Sequence, residues 1–368
     1  MTDTETRASM AGQPDHSLPY TMRTLALGTG GGYCGYALGL PLGWLLGAMA
    51  VTMALAVVGV RVTASRSPRT AMIAVIGLMV GSAFKPEVLA HVGSWWVSLT
   101  AVGAYTVITA LFGIYVCYRV GRLAPTTAAF SGVPGGLSEM IVIAPSFGAD
   151  IRSVSMVHAT RLVLLIAVVP TSLGLSGLLA DVGDGRVNRT IDWTATLPLT
   201  DTLVLLGCAV LGLLLGKWLR LPAAGLTGPL SLSAAAHLLG LTAADVPGPV
   251  IAVAQIVIGA TIGQHFAGVE RRVMTTGIVL GALLTCFSLG MAALFAWGLD
   301  RFLDVPFAIG LLALVPGGLP EMSLIAISLD TDPAFVSLHH LFRVVLIVVC
   351  APLLLPVWLR LMGAANKD

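Results

Sequence analysis

Charge is what this chain has least of. Only 10 % of its 368 residues are Asp, Glu, Lys or Arg, against about 25 % in an ordinary soluble domain, which excludes a water-facing surface for most of its length. Nucleic-acid recognition is excluded too, because 20 Lys and Arg against 18 Asp and Glu leave a net charge of only +2. Cysteines are few, and Cys34, Cys117, Cys208, Cys286 and Cys350 all lie inside apolar runs, with neither metal-ligand spacing nor a disulfide framework. Seven scattered histidines offer no chelating set; the adjacent pair His339 and His340 point about 100° apart on a helix. No G-x-x-x-x-G-K-[ST] run exists for nucleotide phosphates. The reading is therefore no metal, no cofactor and no enzyme. Residues 1–22 are polar and carry Asp3, Glu5 and Asp15, unlike the basic start of a cleaved signal peptide, so the first apolar run is expected to stay as a span.

What the chain has is hydrocarbon and glycine. Hydrophobic residues make up 57 %, there are 42 glycines, and mean hydropathy is +0.93. The apolar runs are continuous rather than alternating, which selects helices over a barrel, and glycine lets membrane helices approach closely. At about 20 apolar residues per span, spans are expected near 24–40, 42–60, 70–84, 94–118 and 153–178, and again near 202–219, 222–241, 248–267, 274–299 and 335–359. A glycine-broken apolar segment follows the fourth span of each series, at 124–148 and 305–329.

The two series superpose at a spacing of 182 residues. Val133-Pro134-Gly135-Gly136-Leu137-Ser138-Glu139-Met140 returns as Val315-Pro316-Gly317-Gly318-Leu319-Pro320-Glu321-Met322; Gly77, Gly81 and Phe84 return as Gly259, Gly263 and Phe266; Asp150, Ser155, His158 and Arg161 return as Asp332, Ser337, His340 and Arg343. A duplicated unit explains this. Domains are expected at 1–22 (polar tail), 23–180 (first membrane repeat), 181–201 (connecting loop), 202–360 (second repeat) and 361–368 (tail).

Basic residues collect in cytoplasmic loops. Arg61, Arg66 and Arg69 follow the second span of the first unit, whereas Lys217 and Arg220 follow the first span of the second, so the units read as inverted. The expected fold is an all-α polytopic protein of the bacterial inner membrane with two inverted repeats of about five spans. That gives ten spans plus two re-entrant segments, with both termini cytoplasmic. The alternative is twelve spans, with each broken helix crossing fully.

A Pro-Gly-Gly break at membrane depth survives only where protein or a wet cavity surrounds its backbone. Gly135, Gly136, Gly317 and Gly318 therefore mark an internal site, where helix N-termini favour anions and unwound carbonyls favour cations. Glu139 and Glu321 follow three residues on, either as carriers of a proton or cation or as first-turn acids complementing the dipole. His158 with Arg161, and His340 with Arg343, share a helix face. The arginines read either as holders of a solute anion or as partners of Glu139, Glu321, Asp150 or Asp332 in fixed pairs. Gln264 and His265 replace Ser82 and Ala83 at matched positions, and His265 reads as a hydrogen-bonded core residue. His16, His91 and His237 read as solvated, and Trp95, Trp96, Trp218, Trp297 and Trp358 as interfacial anchors.

With LPLGWLLGAM at 40–49 and LPAAGLTGPL at 221–230, the duplicated VPGGLSEM and VPGGLPEM resemble the bacterial AbrB-type membrane family. The resemblance runs over nearly all of the chain beyond residue 22. It implies a duplicated membrane domain; names attached to that family include ammonia monooxygenase and regulator of gene expression. A monooxygenase would need a metal site that the histidines do not supply. The expected activity is secondary transport of a small polar or anionic solute coupled to protons or sodium. The other reading is a membrane sensor that affects gene expression indirectly. The partners expected are the solute, the coupling ion and the bilayer, with a homodimer left open.

Overall fold

The structure, a computed structural model, describes residues 18–63, 65–84, 93–178 and 197–361. Among the described residues every regular element is a helix. In chain order these are α1 (Leu18–Ala37), α2 (Gly43–Val57), α3 (Arg66–Ser82), α4 (Trp96–Arg119), α5 (Pro125–Gly132), α6 (Leu137–Ile143), α7 (Ile151–Ser176), α8 (Leu199–Trp218), α9 (Ala224–Leu238), α10 (Gly248–Gly263), α11 (Arg271–Leu303), α12 (Phe307–Leu314), α13 (Leu319–Ser328) and α14 (Pro333–Leu361). Six are long and apolar enough to cross a membrane: α4, α7, α8, α10 with the 3₁₀ turn that extends it, α11 and α14. The described residues are thus all-helical, an architecture compatible with a membrane protein. α1 starts earlier than the composition suggested, at Leu18 rather than near residue 24. The expected loop at 181–201 lies mostly outside the described residues, as do His16 and His91.

Lipid-facing and inward faces follow helical periodicity. On α8, Leu205, Cys208, Gly212 and Gly216 point inward while Leu203, Leu206, Val210 and Leu214 are exposed, the stripe a helix shows when one side meets protein and the other hydrocarbon. Gly212 and Gly216 let α9 lie against α8 at backbone contact, as Gly31 and Gly35 do for α1 on Gly47 and Gly43 of α2. Both pairs are antiparallel hairpins.

Between the two halves the register is different. Gly77 and Gly81 of α3 meet Leu226–Leu230 and Leu230–Ser233 of α9, and Gly259 and Gly263 of α10 meet Leu45–Met49 and Met49–Met53 of α2, so both pairs run parallel. Gly277 and Gly281 of α11 lie on Met156 and Thr160 of α7, also parallel. Ser98 and Gly103 of α4 lie by His339 and Phe342 of α14, parallel again. α4 opposes α11: Tyr105 touches Phe295, Phe112 stacks on Phe287 at 3.7 Å, and Gly121 faces Leu280.

Left-handed backbone recurs in matched places. Gly39, Leu42 and Gly59 are followed by Arg220, Ala223 and Gly240 at a spacing of 181; Arg122 and Gly148 are followed by Asp304 and Asp330 at 182. Non-glycine residues at such φ are uncommon and costly, so hydrophobicity alone would not repeat them. The single spacing of 182 read from the sequence thus holds only beyond the second helix of each half, because the second half carries one extra residue there.

α7 starts on a side-chain cap. Asp150 accepts from Arg152 N at 3.2 Å, Ser153 N at 3.1 Å and Ser153 Oγ at 2.6 Å. Partial burial opposes its ionisation, but the bonds from Ser153 and Arg152 outweigh it and hold the carboxyl below its ordinary value. A depressed folded-state pKa stabilises above the unfolded value near ~3.9 and loses that contribution as pH falls below it. Asp150→Ala is expected to cost about 1 kcal/mol, read as a lowered melting temperature at pH 7 whose gap to wild type closes as pH falls from about 4 through the folded-state pKa.

Candidate functional site

Both Pro-Gly-Gly runs break their helices. α5 ends at Gly132 and α6 begins at Leu137; α12 ends at Leu314 and α13 begins at Leu319. Each break opens with a tight turn in which the amide of the first glycine folds back, Gly135 N donating to Val133 O and Gly317 N to Val315 O, both at 2.9 Å. α5 and α12 have eight residues each, about 12 Å of rise, somewhat under half of a ~30 Å hydrocarbon core.

A helix end leaves its last carbonyls without partners, and deep in a bundle no water is at hand to satisfy them. The histidines and arginines singled out in the sequence do so. His158 Nε2 donates to Phe130 O at 2.9 Å and Arg161 Nη1 to Val133 O at 3.1 Å. In the second half Arg343 Nη1 donates to Leu314 O at 3.1 Å and Val315 O at 2.9 Å, and Nη2 to Gly317 O at 2.8 Å. His340 faces Val315 O through Nε2 at 3.2 Å and Val336 O through Nδ1 at 2.9 Å; a neutral ring can donate to only one of them. All four side chains are at most 2 % exposed. A cation at a helix C-terminus also meets the negative end of its dipole.

This corrects two expectations. Asp150 and Asp332 are not ion-pair partners of the arginines: they cap α7 and α14, Asp332 accepting from Phe335 N at 2.9 Å. The unwound carbonyls of Val133, Leu314, Val315 and Gly317 are engaged by protein rather than left open for a cation. Glu321 is 5 % exposed, in the first turn of α13, with its carboxylate folded against Gly318 so closely that a Cβ there would collide with it. The side chain of Glu139 lies outside the described residues.

Tyr105 of α4 sits between the two breaks, donating to Ser288 O of α11 at 3.1 Å and within electrostatic reach of both guanidiniums. Sequence reasoning missed it, since a tyrosine inside an apolar run carries no motif. A cavity of about 10 Å³ beside the first break is lined by Thr109, Phe112, Pro134, Arg161, Leu284 and Ser288, among others. A larger cleft of about 400 Å³ opens at the start of α12, between Trp95, Asp304, Pro306, Asp332 and Phe335. Trp95 is buried there against Phe335 and His339 rather than anchored at an interface. Trp358 likewise turns inward, its Nε1 donating to Pro125 O at 3.2 Å, whereas Trp96, Trp218 and Trp297 are exposed. His237 is half-buried and its ring nitrogens face Ser233 O and Ala244 O, not solvent. Among the described residues no group of His, Cys, Asp and Glu could hold a metal ion.

Comparison with known proteins gives a family. The family model described as Transition state regulatory protein AbrB matches residues 44–359. "Putative regulator AbrB" of Escherichia coli strain K12 is 27 % identical over 321 residues, covering 86 % of this chain and 90 % of that protein. "Uncharacterized protein YhjN" of Bacillus subtilis strain 168 is 26 % identical over 369 residues, covering 92 % and 93 %. No solved structure matches.

Proposed function

The chain belongs to the AbrB family, and on that footing we propose that it is a secondary transporter of a small polar or anionic solute in the bacterial inner membrane. The observation that carries the reading is the pair of buried helix breaks, each fastened by its own arginine. Opposed breaks of this sort are how many carriers place a site at mid-membrane.

Several contacts support opposed re-entrant segments. α4 opposes α11 while α7 runs along α11, so α4 and α7 are antiparallel and the segment between them returns to the side it left. Asp150 N, just past α6, donates to Thr127 Oγ1 in the first turn of α5 at 3.0 Å, and Pro306 and Asp332 line one cleft around α12. Because the fourth spans of the two halves oppose each other, the halves are inverted and the segments descend from opposite faces. Two arms of about 12 Å in a ~30 Å core leave their tips about 6 Å apart along the membrane normal, close enough to share one solute.

Gly135, Gly136, Gly317 and Gly318 shape the tips, Glu139 and Glu321 carry the coupling proton or sodium, and His158, Arg161, His340 and Arg343 hold the broken ends and the field around the solute. The family description favours one other reading: regulation of gene expression, reached indirectly through the solute pool.

Uptake into proteoliposomes under imposed proton and sodium gradients tests the proposal. Glu139→Gln and Glu321→Gln are each expected to abolish gradient-driven uptake at normal expression, an effect of tenfold or more. Undiminished uptake in either would remove that carboxylate from coupling, and absence of gradient-driven flux in wild type across carboxylates, amino acids and ammonium would end the transport reading.

A further inference from the structure

The two breaks are built alike but not finished alike. Arg343 spans its break with three carbonyl bonds, whereas Arg161 makes one, to Val133 O. The Nε–H of Arg161 is buried and has no acceptor. The buried Ser131 Oγ and Thr160 Oγ1 are unpartnered too, and their counterparts at the repeat spacing are Ala313 and Phe342. Unsatisfied polar atoms thus lie on Ser131, Thr160 and Arg161 around the first break, and of these Arg161 lines the cavity. Among the described residues no carboxylate lies against this guanidinium. A buried, incompletely bonded cation is costly, and the missing partner has to be an acceptor.

We propose that the Arg161 cavity is the anchor for the carboxylate head of a short monocarboxylate. This rests on the transport reading for its purpose but not for its chemistry. About 10 Å³ accommodates roughly one oxygen-sized group, so a single carboxylate oxygen enters to accept from Arg161, and phosphate is rejected by its extra charge against the apolar wall rather than by its shape. Leu284 and the stacked pair Phe112 and Phe287 form the remaining wall, suited to a short apolar tail and hostile to a second charge. Arg343, by contrast, is a structural clamp.

The test is equilibrium binding to the purified full-length protein in detergent, with acetate, propionate and phosphate as probes at constant ionic strength and melting temperature as readout. Acetate and propionate are expected to stabilise wild type saturably, and phosphate at equal concentration to do nothing. Arg161→Lys, which keeps the charge but not the fork, is expected to weaken acetate binding at least tenfold. Ser288→Val fills the cavity from α11 without touching the arginine, and is expected to abolish the acetate shift while retaining a cooperative melt. Equal stabilisation by phosphate, an unchanged acetate response in Arg161→Lys, or an unchanged response in Ser288→Val would each overturn the assignment. Acetate binding without flux in proteoliposomes would instead defeat transport and leave the anchor standing.

Discussion

Replacing Arg343 by alanine is expected to remove the folded protein from the membrane. Three carbonyls at the end of α12 and within the break lose their donor, and at this depth no water substitutes. Hydrogen bonds to charged groups are worth about 1.5–3 kcal/mol each, so even the low end for three reaches ~4 kcal/mol, a large part of a net stability of ~5–15 kcal/mol. Arg343→Lys keeps the charge but reaches fewer carbonyls, and should recover part of the yield. Arg161→Ala removes one carbonyl bond and should leave more folded protein than Arg343→Ala. Monodisperse yield on size exclusion, normalised to membrane expression, measures all three; wild-type yield for Arg343→Ala would show that the clamp is dispensable.

The second large effect is expected where helices touch backbone to backbone. A Cβ at Gly47 would collide with the carbonyl of Gly31, and one at Gly228 with the carbonyl of Gly212. Neither neighbour is a side chain that can swing aside, so Gly47→Val and Gly228→Val force α1 from α2 and α8 from α9. Overpacking costs about 1–3 kcal/mol where side chains can adjust, and more is expected here. Gly30 and Gly298 face open space; alanine there should be neutral or raise stability by up to ~1 kcal/mol through helix propensity. Melting temperatures of the four variants check this, and equal behaviour of the two pairs would contradict the packing.

The helical membrane class was legible because lipid demands long uncharged runs, and the breaks were legible because proline and paired glycine are conspicuous inside such runs. His158, Arg161, His340 and Arg343 were found because polar side chains are expensive there. Their carbonyl partners were not found. An arginine in a sequence calls for an acid, and nothing in the residue string reveals that the C-terminal carbonyls of α5 and α12 would satisfy it. Tyr105 and Ser288 escaped for a related reason: their importance comes from where α4 crosses α11, a property of tertiary packing. Trp95 and Trp358 were misplaced because a tryptophan near a span end looks the same whether it faces headgroups or turns toward Phe335 or Pro125.

The claim on which the account turns is that each broken segment leaves the membrane by the face through which it came, and that the two faces are opposite. Single cysteines at Ala124, Ser146, Phe302 and Thr331, in a background with all five native cysteines replaced, flank the starts and finishes of the two segments. Labelling with a membrane-impermeant maleimide in right-side-out and inverted vesicles reads their sides. Ala124 and Ser146 are expected to label from the cytoplasmic face only, and Phe302 and Thr331 from the outer face only. Labelling of Ala124 and Ser146 from opposite faces would mean that the first segment crosses the bilayer, and would contradict it.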